Sequence, residues 1–406
     1  MGTSSTVSPV ARPDAIRRHN LALMLQHVHR DGALTRAELT QRMGVSRSTV
    51  GTLVADLITL GLLEESVPTG GDRVGRPSYV VGPAASGPVV VAVDVHIDHL
   101  TSAAVGIGGV VLARRTVPTG EPAAAPEVVA DLVAQAVRAL GAEVDRPVLG
   151  LGVSVPGTVD KHTRTVGLAP NLGWRDAHLG KLLSDRLDRE LPVVVGNDAD
   201  LSALAELSRG NARGCSDVVF LIGRAGVGAG VVVNGALLRG RDGTAGEVGH
   251  NVVDPSGQRC HCGKQGCLET FIGDAALVER AGRSGGPTEA NVAAVFADAA
   301  AGHRHALAAV RDTADWLGQT LGNLVNTLNP ERVILGGSLA GVLAIARPEI
   351  ELALERYAFD PGHPVELTSP LLGGDSALLG AAELAFADLL ADPLAGHGVP
   401  EAVSRA

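Results

Sequence analysis

Hydrophobic residues recur at helical spacing through the first part of the chain. Residues 16–30 carry an apolar face at helical intervals, and Asp31-Gly32 ends that helix. Thr35 and Glu38 stand three residues apart, as in a capping box, and open a short helix that runs to Arg42. The spacing therefore predicts two consecutive helices before residue 44.

A third helix follows a turn at Gly44. Ser46 is placed to cap it, and its apolar positions recur at intervals of three, four and seven residues. These positions are Val50, Leu53, Val54, Leu57 and Leu60. Two helices joined by a short glycine-containing turn predict a helix-turn-helix, whose second helix presents its N-terminal residues to DNA bases.

Residues 64–81 predict a two-stranded wing with a glycine-rich tip over residues 70–77. The tip contains Arg73 and Arg76, and arginines on such a loop suit a narrow minor groove. We therefore expect residues 1–83 to form a winged helix-turn-helix domain that binds DNA. The candidate DNA contacts are Arg36, Ser46, Arg47, Ser48, Thr49, Thr52, Arg73 and Arg76. The alternative is a three-helix module that binds protein.

From residue 89 the pattern changes to short apolar runs, typical of buried strands, between amphipathic helices. The composition of residues 84–88 is that of a linker. A set of strands that includes a meander and is followed by helices begins at Val89. A second such set begins at Val218. Residues 89–406 therefore predict two α/β lobes around a cleft. We place their division near residues 198–217 and expect the C-terminal helices to return to the first lobe.

Composition fits a globular protein of more than one domain, with 406 residues, 45% of them hydrophobic and 19% charged. The sequence has neither an apolar run of membrane-spanning length nor a signal-peptide core, so we expect a cytoplasmic protein with no membrane partner. Residues 1–83 contain nine arginines against seven acidic residues, whereas the remainder has 25 basic and 37 acidic residues. Only the N-terminal part is therefore suited to approach nucleic acid.

Three of the four cysteines lie within eight residues, as Cys260, Cys262 and Cys267, and His250 lies ten residues upstream of the first. Three thiolates and one imidazole match a closed tetrahedral site of the kind that holds structural zinc. The alternatives are a disulfide or unrelated buried thiols, although one disulfide leaves a thiol unpaired. We therefore predict a structural zinc ion.

Five motifs, taken in order, resemble the ROK family of repressors, open reading frames and sugar kinases over residues 89–385. They are Ser154-Val155-Pro156-Gly157, Ala169-Pro170-Asn171-Leu172-Gly173-Trp174, Asn197-Asp198-Ala199-Asp200, Gly246-Glu247-Val248-Gly249-His250, and the Cys-x-Cys-Gly-x2-Gly-Cys-Leu-Glu stretch. The resemblance implies an actin-like, hexokinase-like (RNase H-like) fold of two lobes with a sugar in the cleft. The residues that it implies as sugar contacts are Gly157, Asn171, Asn197, Asp198, Glu247, His250 and Glu269. His250 would bind zinc through its other ring nitrogen.

The chain departs from the family's kinases at both phosphate-binding loops. The kinases carry Asp-x-Gly-Gly-Thr after the first strand, where this chain has Asp94-Val95-His96-Ile97-Asp98. Their second loop reads Gly-Thr-Gly-x-Gly, where this chain has Arg224-Ala225-Gly226-Val227-Gly228. Without those glycines and threonines, phosphate contacts are lost. Asp198 corresponds to the kinases' general base, but we expect no catalytic residue here.

An intact sugar half beside an altered phosphate half predicts a sensor rather than an enzyme. We expect a sugar-responsive transcriptional regulator whose effector is a sugar or a sugar phosphate. We favour a repressor over an activator. Because one helix-turn-helix reads a half-site, a homodimer or homotetramer on operator DNA is expected. The alternative is an active or bifunctional ATP-dependent sugar kinase with a DNA-binding domain. A third possibility is a vestigial pocket with control by a protein partner.

Overall fold

The structure, a computed structural model, describes residues 13–67, 79–120, 124–187, 191–360, 362 and 365–395. Within these ranges a small N-terminal domain of three helices and a three-stranded sheet precedes two larger α/β lobes. None of the helices formed by the described residues is both long and apolar enough to span a membrane.

The N-terminal domain has the predicted helix-turn-helix. Its elements are α1 (Pro13–Asp31), β1 (Leu34–Thr35), α2 (Arg36–Met43), α3 (Arg47–Thr59), β2 (Leu63–Ser66) and β3 (Val80–Pro83). The capping box is present, because the Thr35 hydroxyl accepts from the Glu38 amide and the Glu38 carboxylate accepts from the Thr35 amide. Gly44 ends α2 with φ of 64°, a left-handed conformation that favours glycine. All five predicted apolar positions of α3 are buried.

The predicted wing is anchored by an antiparallel sheet with strand order β1-β3-β2. The wing tip at residues 70–77 lies outside the described residues, and so do Arg73 and Arg76. Hydrogen bonds hold the linker region after β3 against this domain. Ala84 donates its amide to the Leu62 carbonyl at 3.1 Å, and Ala85 donates to the Glu64 carboxylate at 2.7 Å.

The first lobe contains a five-stranded sheet and most of residues 89–209. Its elements are β4 (Val89–Val95), β5 (His99–Gly106), β6 (Val111–Pro118), α4 (Pro126–Val144), β7 (Val148–Val155), β8 (Thr158–Val159), β9 (Val166–Ala169), β10 (Trp174–Ala177), α5 (Leu179–Ser184), β11 (Val193–Asn197) and α6 (Asp198–Arg209). The main sheet has the order β11-β7-β4-β5-β6, with an antiparallel β4-β5-β6 meander and parallel β7 and β11. A second antiparallel sheet of β8, β9 and β10 was not predicted.

The second lobe repeats this topology. Its elements are β12 (Val218–Gly223), β13 (Val227–Val233), β14 (Ala236–Leu237), α7 (Glu269–Ile272), α8 (Asp274–Arg280), α9 (Glu289–Ala300), α10 (Arg304–Leu328), β15 (Arg332–Gly337), α11 (Ser338–Tyr357) and β16 (Glu366–Thr368), followed by α12 (Ser376–Ala391). The sheet order β14-β13-β12-β15-β16 again joins an antiparallel meander to two parallel strands. Two lobes of one topology are the arrangement expected of the actin-like fold.

Helix α12 packs on the first lobe, against β4, β7 and α6. The approach is close enough for backbone to touch backbone, because glycines occupy the points of contact. A Cβ atom on Gly152 of β7 would lie 2.0 Å from the Ala381 carbonyl oxygen, and one on Gly380 would lie 1.9 Å from that of Leu201 in α6. Neither position can hold a larger residue without moving a helix.

The N-terminal domain shares a hydrophobic core with the first lobe. Buried residues of α1, α2 and α3 form one continuous cluster with one face of β4 and β5 and with α12. Leu25 and Val28 of α1 belong to this cluster together with Phe386 and Leu389 of α12, and all four are nearly inaccessible. The domain is therefore fixed against the first lobe by apolar packing as well as by the chain connection.

Replacing Gly380 by alanine should destabilise the protein. The added Cβ overlaps the Leu201 carbonyl oxygen, and overpacking costs more than the roughly 1 kcal/mol of helix propensity that alanine adds. We expect a loss of about 2 kcal/mol of unfolding free energy, measured by urea denaturation. Gly374→Ala is the matched control, since nothing lies within 4 Å of its Cβ position, and it should change stability by under about 0.5 kcal/mol. Equal stabilities of the two variants would contradict the close packing of α6 on α12.

Candidate functional site

The cleft between the lobes is bordered by the carboxyl end of β11 and the loop after β7. Gly157 has φ of 120°, and a Cβ atom there would lie 2.5 Å from the Leu168 carbonyl oxygen, so glycine is required. The Asn197 side chain donates to the Gly157 carbonyl at 2.9 Å. Its oxygen also caps α6, accepting from the amides of Ala199 and Asp200 at 2.9 and 3.1 Å. The N-terminus of α6 is thereby fixed at the cleft.

Asn171 and Glu269 meet across the cleft at Gly226. Asn171 belongs to the first lobe, whereas Gly226 and Glu269 belong to the second. A Cβ atom on Gly226 would lie 2.7 Å from the Asn171 amide nitrogen and 3.0 Å from a Glu269 carboxylate oxygen. His261 approaches the Asn171 side-chain oxygen at 3.3 Å through Nδ1. The structure therefore brings these two predicted site residues together and adds His261 beside them.

Asp198 and Glu247 are carboxylates held in a partly dehydrated site. Burial raises the pKa of Asp198, Arg224 opposes that rise, and Asp94 adds to it. Burial also raises the pKa of Glu247 to about 7, and the charges of Asp198 and Glu269 add to the effect. Oxygen atoms concentrated in this way suit a ligand that brings several hydroxyl donors.

Asp200 lies in the same acidic group, although sequence reasoning did not select it as a site residue. Its Oδ1 atom is buried and has no hydrogen-bond partner among the described residues. Burial raises the pKa of Asp200 to about 7, Arg239 opposes that rise, and Asp198 and Glu247 contribute to it. The signal available in the sequence was its place in the Asn197-Asp198-Ala199-Asp200 motif, in the first turn of a helix.

Ion pairs of the protein itself join Asp94 and Arg224, which belong to the two loops that stand where the family's kinases would bind phosphate. Asp94, which is 2% exposed, accepts from the Ser154 hydroxyl at 2.8 Å and lies 2.9 Å from Nε2 of His96. Arg224 reaches across from the second lobe, with its NH1 atom 3.5 Å from Asp94 and 3.9 Å from Asp198. Burial would raise the pKa of Asp94, but Arg224, His96 and Ser154 together hold it at about 2. Arg224 is thus engaged by two carboxylates of the first lobe.

The glycine pair Gly336-Gly337 at the end of β15 includes one position that requires glycine. Gly337 has φ of 59°, and a Cβ atom there would lie 1.9 Å from the Gly223 carbonyl oxygen. Gly337 and Gly223 face each other in the parallel pairing of β15 with β12. The backbone conformation alone therefore requires glycine at this strand end.

His250, Cys260, Cys262 and Cys267 converge on one point. Their four candidate ligand atoms lie within 4.8 Å of one another. Nδ1 of His250 is 3.6 Å from Cys260 Sγ, and Cys262 Sγ is 3.7 Å from Cys267 Sγ. Tetrahedral ligands about 2.3 Å from a metal are separated by roughly this distance. The residues present therefore fit a metal ion with sulfur and nitrogen ligands, and the four cysteines of the chain are free.

The metal-ligand cluster adjoins the cleft on two sides. Nε2 of His250, the ring nitrogen directed away from Cys260, lies 4.0 Å from a Glu247 carboxylate oxygen. The Cys260 thiol donates to Glu269 at 2.8 Å. Both carboxylates are among the predicted sugar contacts, so the loop that carries the cluster also fixes part of the cleft wall.

The predicted DNA face is formed by the N-terminal end of α3. Ser46 caps the helix by accepting from the Thr49 amide at 3.1 Å. Four predicted contacts in this region are exposed, namely Ser46, Arg47, Ser48 and Thr52, and Thr49 is half-buried. Arg36 also makes contacts within the domain, since it donates to Glu65 of β2 at 2.7 Å and its guanidinium carbon lies 5.5 Å from the centre of the Tyr79 ring. Arg36 therefore lies at the base of the wing.

Two family models match successive parts of the chain. The model described as "MarR family" matches residues 22–73, and the model described as "ROK family" matches residues 90–388. The second match covers well over half of the chain. This protein belongs to the ROK family.

Individual relatives confirm the fold. The putative xylose repressor of Caldicellulosiruptor sp. (strain Rt8B.4) is 27% identical over 394 residues, covering 93% of this chain and 98% of the relative. A Streptomyces griseus ROK glucokinase, crystallised with glucose and AMPPNP, has a TM-score of 0.64 at 30% identity, covering 73% of this chain and 98% of the kinase. A ROK transcriptional regulator described as a homologue of the Escherichia coli MLC protein has a TM-score of 0.73 at 24% identity, covering 93% and 98%. The winged helix-turn-helix and two-lobed actin-like module are thus confirmed.

Asp200→Asn should flatten the dependence of stability on pH. Folding raises the pKa of Asp200 from 3.8 to about 7, so the folded state binds this proton more tightly than the unfolded state. The contribution of Asp200 to the free energy of unfolding therefore falls as pH rises from about 4 to about 7. We expect Asp200→Asn to stabilise the sugar-free protein by about 1–2 kcal/mol more at pH 8 than at pH 5, less than the full linkage value because the residue is partly exposed.

Thermal denaturation at the two pH values measures this difference. Asp312→Asn, at an exposed position of α10, is the control and should shift the midpoint little at either pH. The same gain for Asp200→Asn at both pH values would show that Asp200 is ionised normally in the folded protein.

Proposed function

We propose that this protein is a sugar-responsive transcriptional regulator, in preference a repressor. The winged helix-turn-helix would bind operator DNA, and the cleft of the ROK module would bind a sugar or sugar phosphate that alters operator affinity. The observation that carries the proposal is the contrast between the two sides of the cleft. Polar side chains converge on one side, whereas ion pairs centred on Arg224 fill the other.

The sugar side supports ligand binding through its hydrogen-bonding groups. The proposed contacts are Gly157, Asn171, Asn197, Asp198, Glu247, His250 and Glu269. Buried sugar hydroxyls need partners, and each ionised carboxylate accepts two or more hydrogen bonds. The raised pKa values of Asp198 and Glu247 fit acceptors that await donors.

The phosphate side argues against phosphoryl transfer. A nucleotide needs backbone amides and hydroxyls that can approach its phosphates, and cations that are free to neutralise them. In this chain His96 follows Asp94 where kinases have glycine, and Arg224 is already paired with Asp94 and Asp198. Asp198 has the position of a general base, and NH1 of Arg224 lies 3.9 Å from its carboxylate. A regulatory role therefore fits the site better than catalysis.

The N-terminal domain supports DNA binding. The Caldicellulosiruptor repressor matches this chain through the N-terminal domain as well as the ROK module, whereas the S. griseus glucokinase covers only 73% of this chain. Because one recognition helix reads one half-site, we propose a homodimer or homotetramer that acts on operator DNA in the cytoplasm.

We further propose that the His250–Cys260–Cys262–Cys267 cluster binds structural zinc. Three thiolates and one imidazole suit Zn²⁺, and four protein ligands leave no open position for catalysis. The ion would hold the loop from Glu247 to Glu269 in shape and would fix the direction in which Nε2 of His250 points. Its role here would be positional.

Operator release by sugar is the test of the proposed function. Operator sites are first selected from random DNA with the purified full-length protein. Fluorescence anisotropy then measures affinity with D-xylose, D-glucose, N-acetyl-D-glucosamine and their phosphates. We expect one of these ligands to change operator affinity by about 5- to 150-fold, the usual size of an allosteric coupling. Arg47→Ala should weaken operator binding about tenfold, since a base contact contributes about 1–3 kcal/mol, while exposed Arg175→Ala in the first lobe should not.

Two results would contradict this function. Operator affinity that no sugar or sugar phosphate changes would favour control by a protein partner. Calorimetric binding of magnesium-ATP, together with phosphate transfer to D-glucose or D-xylose, would favour the kinase alternative.

Cys262→Ser should abolish zinc binding. The substitution replaces a soft thiolate by a hydroxyl that zinc binds weakly, so the metal content of the purified protein should fall from about one ion per chain to below about 0.1. Cys215→Ser is the matched control, because Cys215 lies outside the ligand cluster. Inductively coupled plasma mass spectrometry measures both variants. Equal zinc in Cys262→Ser and Cys215→Ser would refute the proposed ligand set.

A further inference from the structure

A buried polar cluster joins the DNA-binding domain to the ROK module. It consists of His29 in α1, Glu383 in α12 and Arg209, the last residue of α6, and we call it the interdomain cluster. His29 is 1% exposed and Glu383 is 8% exposed. Nε2 of His29 lies 3.1 Å from the Glu383 carboxylate, and Arg209 donates to the same carboxylate at 2.9 Å through Nε. Three elements from two domains therefore share one buried charge.

The hydrogen bonds of the cluster set the role of each group. The Gly108 amide, in the turn between β5 and β6, donates to Nδ1 of His29 at 3.1 Å, and Nε2 of His29 lies 3.1 Å from the Glu383 carboxylate and 2.9 Å from NH2 of Arg209. Arg209 also donates to the Gly108 carbonyl at 2.6 Å. Burial would raise the pKa of Glu383, but His29 and Arg209 hold it at about 2. Arg209 thus contacts both Glu383 and Gly108, the two residues to which His29 is hydrogen-bonded.

Helix α6 connects this cluster with the cleft. It begins at Asp198, with Asn197 as its cap, and ends at Arg209. Twelve residues at 1.5 Å each make it about 18 Å long. One end therefore lies at the proposed sugar contacts and the other at the DNA-binding domain, with a continuous helix between them.

The surroundings of α6 leave little room to absorb a displacement locally. Gly230 of β13 lets the second lobe approach so closely that a Cβ atom there would lie 2.4 Å from the Ala199 carbonyl oxygen. On the opposite side Gly380 of α12 touches the Leu201 backbone. Glu206, fully buried in the last turn of α6, accepts from the amide of Leu372 at 3.0 Å and from three further donors. A shift at one end of such a packed helix is passed to the other end.

We infer that α6 transmits sugar binding to the DNA-binding domain and that Arg209 is the coupling residue. The inference rests on the proposed function, because it concerns how that sugar site controls DNA binding. The chain connection at residues 84–88 is a less direct route, since Ala84 and Ala85 are hydrogen-bonded to the N-terminal domain itself. Arg209 is a positioning residue, in contact with neither sugar nor DNA. By linkage, DNA binding would weaken sugar binding by the same factor as sugar weakens DNA binding.

The test compares Arg209→Met with Arg18→Met in the full-length protein. Arg18 is the matched control, because it also bridges α1 to the ROK module, through Asp392 at 2.6 Å, but it is exposed and does not touch α6. Operator affinity is measured with and without the most effective ligand among D-xylose, D-glucose, N-acetyl-D-glucosamine and their phosphates. Sugar affinity is measured by calorimetry in the absence of DNA. Arg209→Met/Glu383→Gln serves as a second variant, because it does not leave a buried carboxylate unpaired.

For Arg209→Met and for the double variant, we expect sugar affinity within about threefold of the wild type, which also reports that the ROK module is folded. The factor by which sugar changes operator affinity should fall from the wild-type range of about 5–150 to below about 3. Arg18→Met should keep the wild-type factor. Full sugar response in both Arg209 variants would overturn the inference and leave the proposed function standing. Absence of any sugar response in the wild type would refute both.

Discussion

The packing of α6 at backbone distance is the constraint on which the rest of the structure depends. Glycines at 230 and 380 allow β13 and α12 to touch the main chain of this helix from two sides. One end of α6 supplies Asp198 to the cleft, and the other supplies Arg209 to the interdomain cluster. Both lobes and the DNA-binding domain are therefore positioned relative to a single rigid element. Close packing of this kind allows discrete rearrangements but resists gradual deformation.

Charge distinguishes the two halves of the cleft. On one side, burial raises the pKa of Asp198, Asp200 and Glu247, which leaves acceptors that a hydroxyl-rich ligand could satisfy. On the other side, Asp94 is held ionised at a pKa of about 2 because Arg224 reaches it from the opposite lobe. An ion pair of the protein itself thereby joins the two lobes across the cleft.

Periodicity in the sequence was sufficient to predict the longer helices and strands. The apolar repeat from Val50 to Leu60 predicted α3, and the cysteine spacing predicted a cluster that the fold does assemble. Strands β8, β9 and β10 are only two to four residues long, too short for alternation to be visible. The pairing of Arg224 with Asp94 joins residues from different lobes, and no local pattern encodes such a contact. Asp200 was missed because its significance comes from burial, which is a property of the assembled fold.

The hydrophobic core shared by the N-terminal domain and the first lobe has a consequence for how new regulators arise. A winged helix attached by a flexible tether could be exchanged freely between proteins to redirect an existing sensor. Here the underside of α1 packs on α12, and its His29 is matched to Glu383 at the centre of that contact. A DNA-binding domain that is moved to another ROK module would need a surface complementary to that module. Change of operator specificity is therefore easier through the exposed residues of α3, one side chain at a time, than by recombination of whole domains.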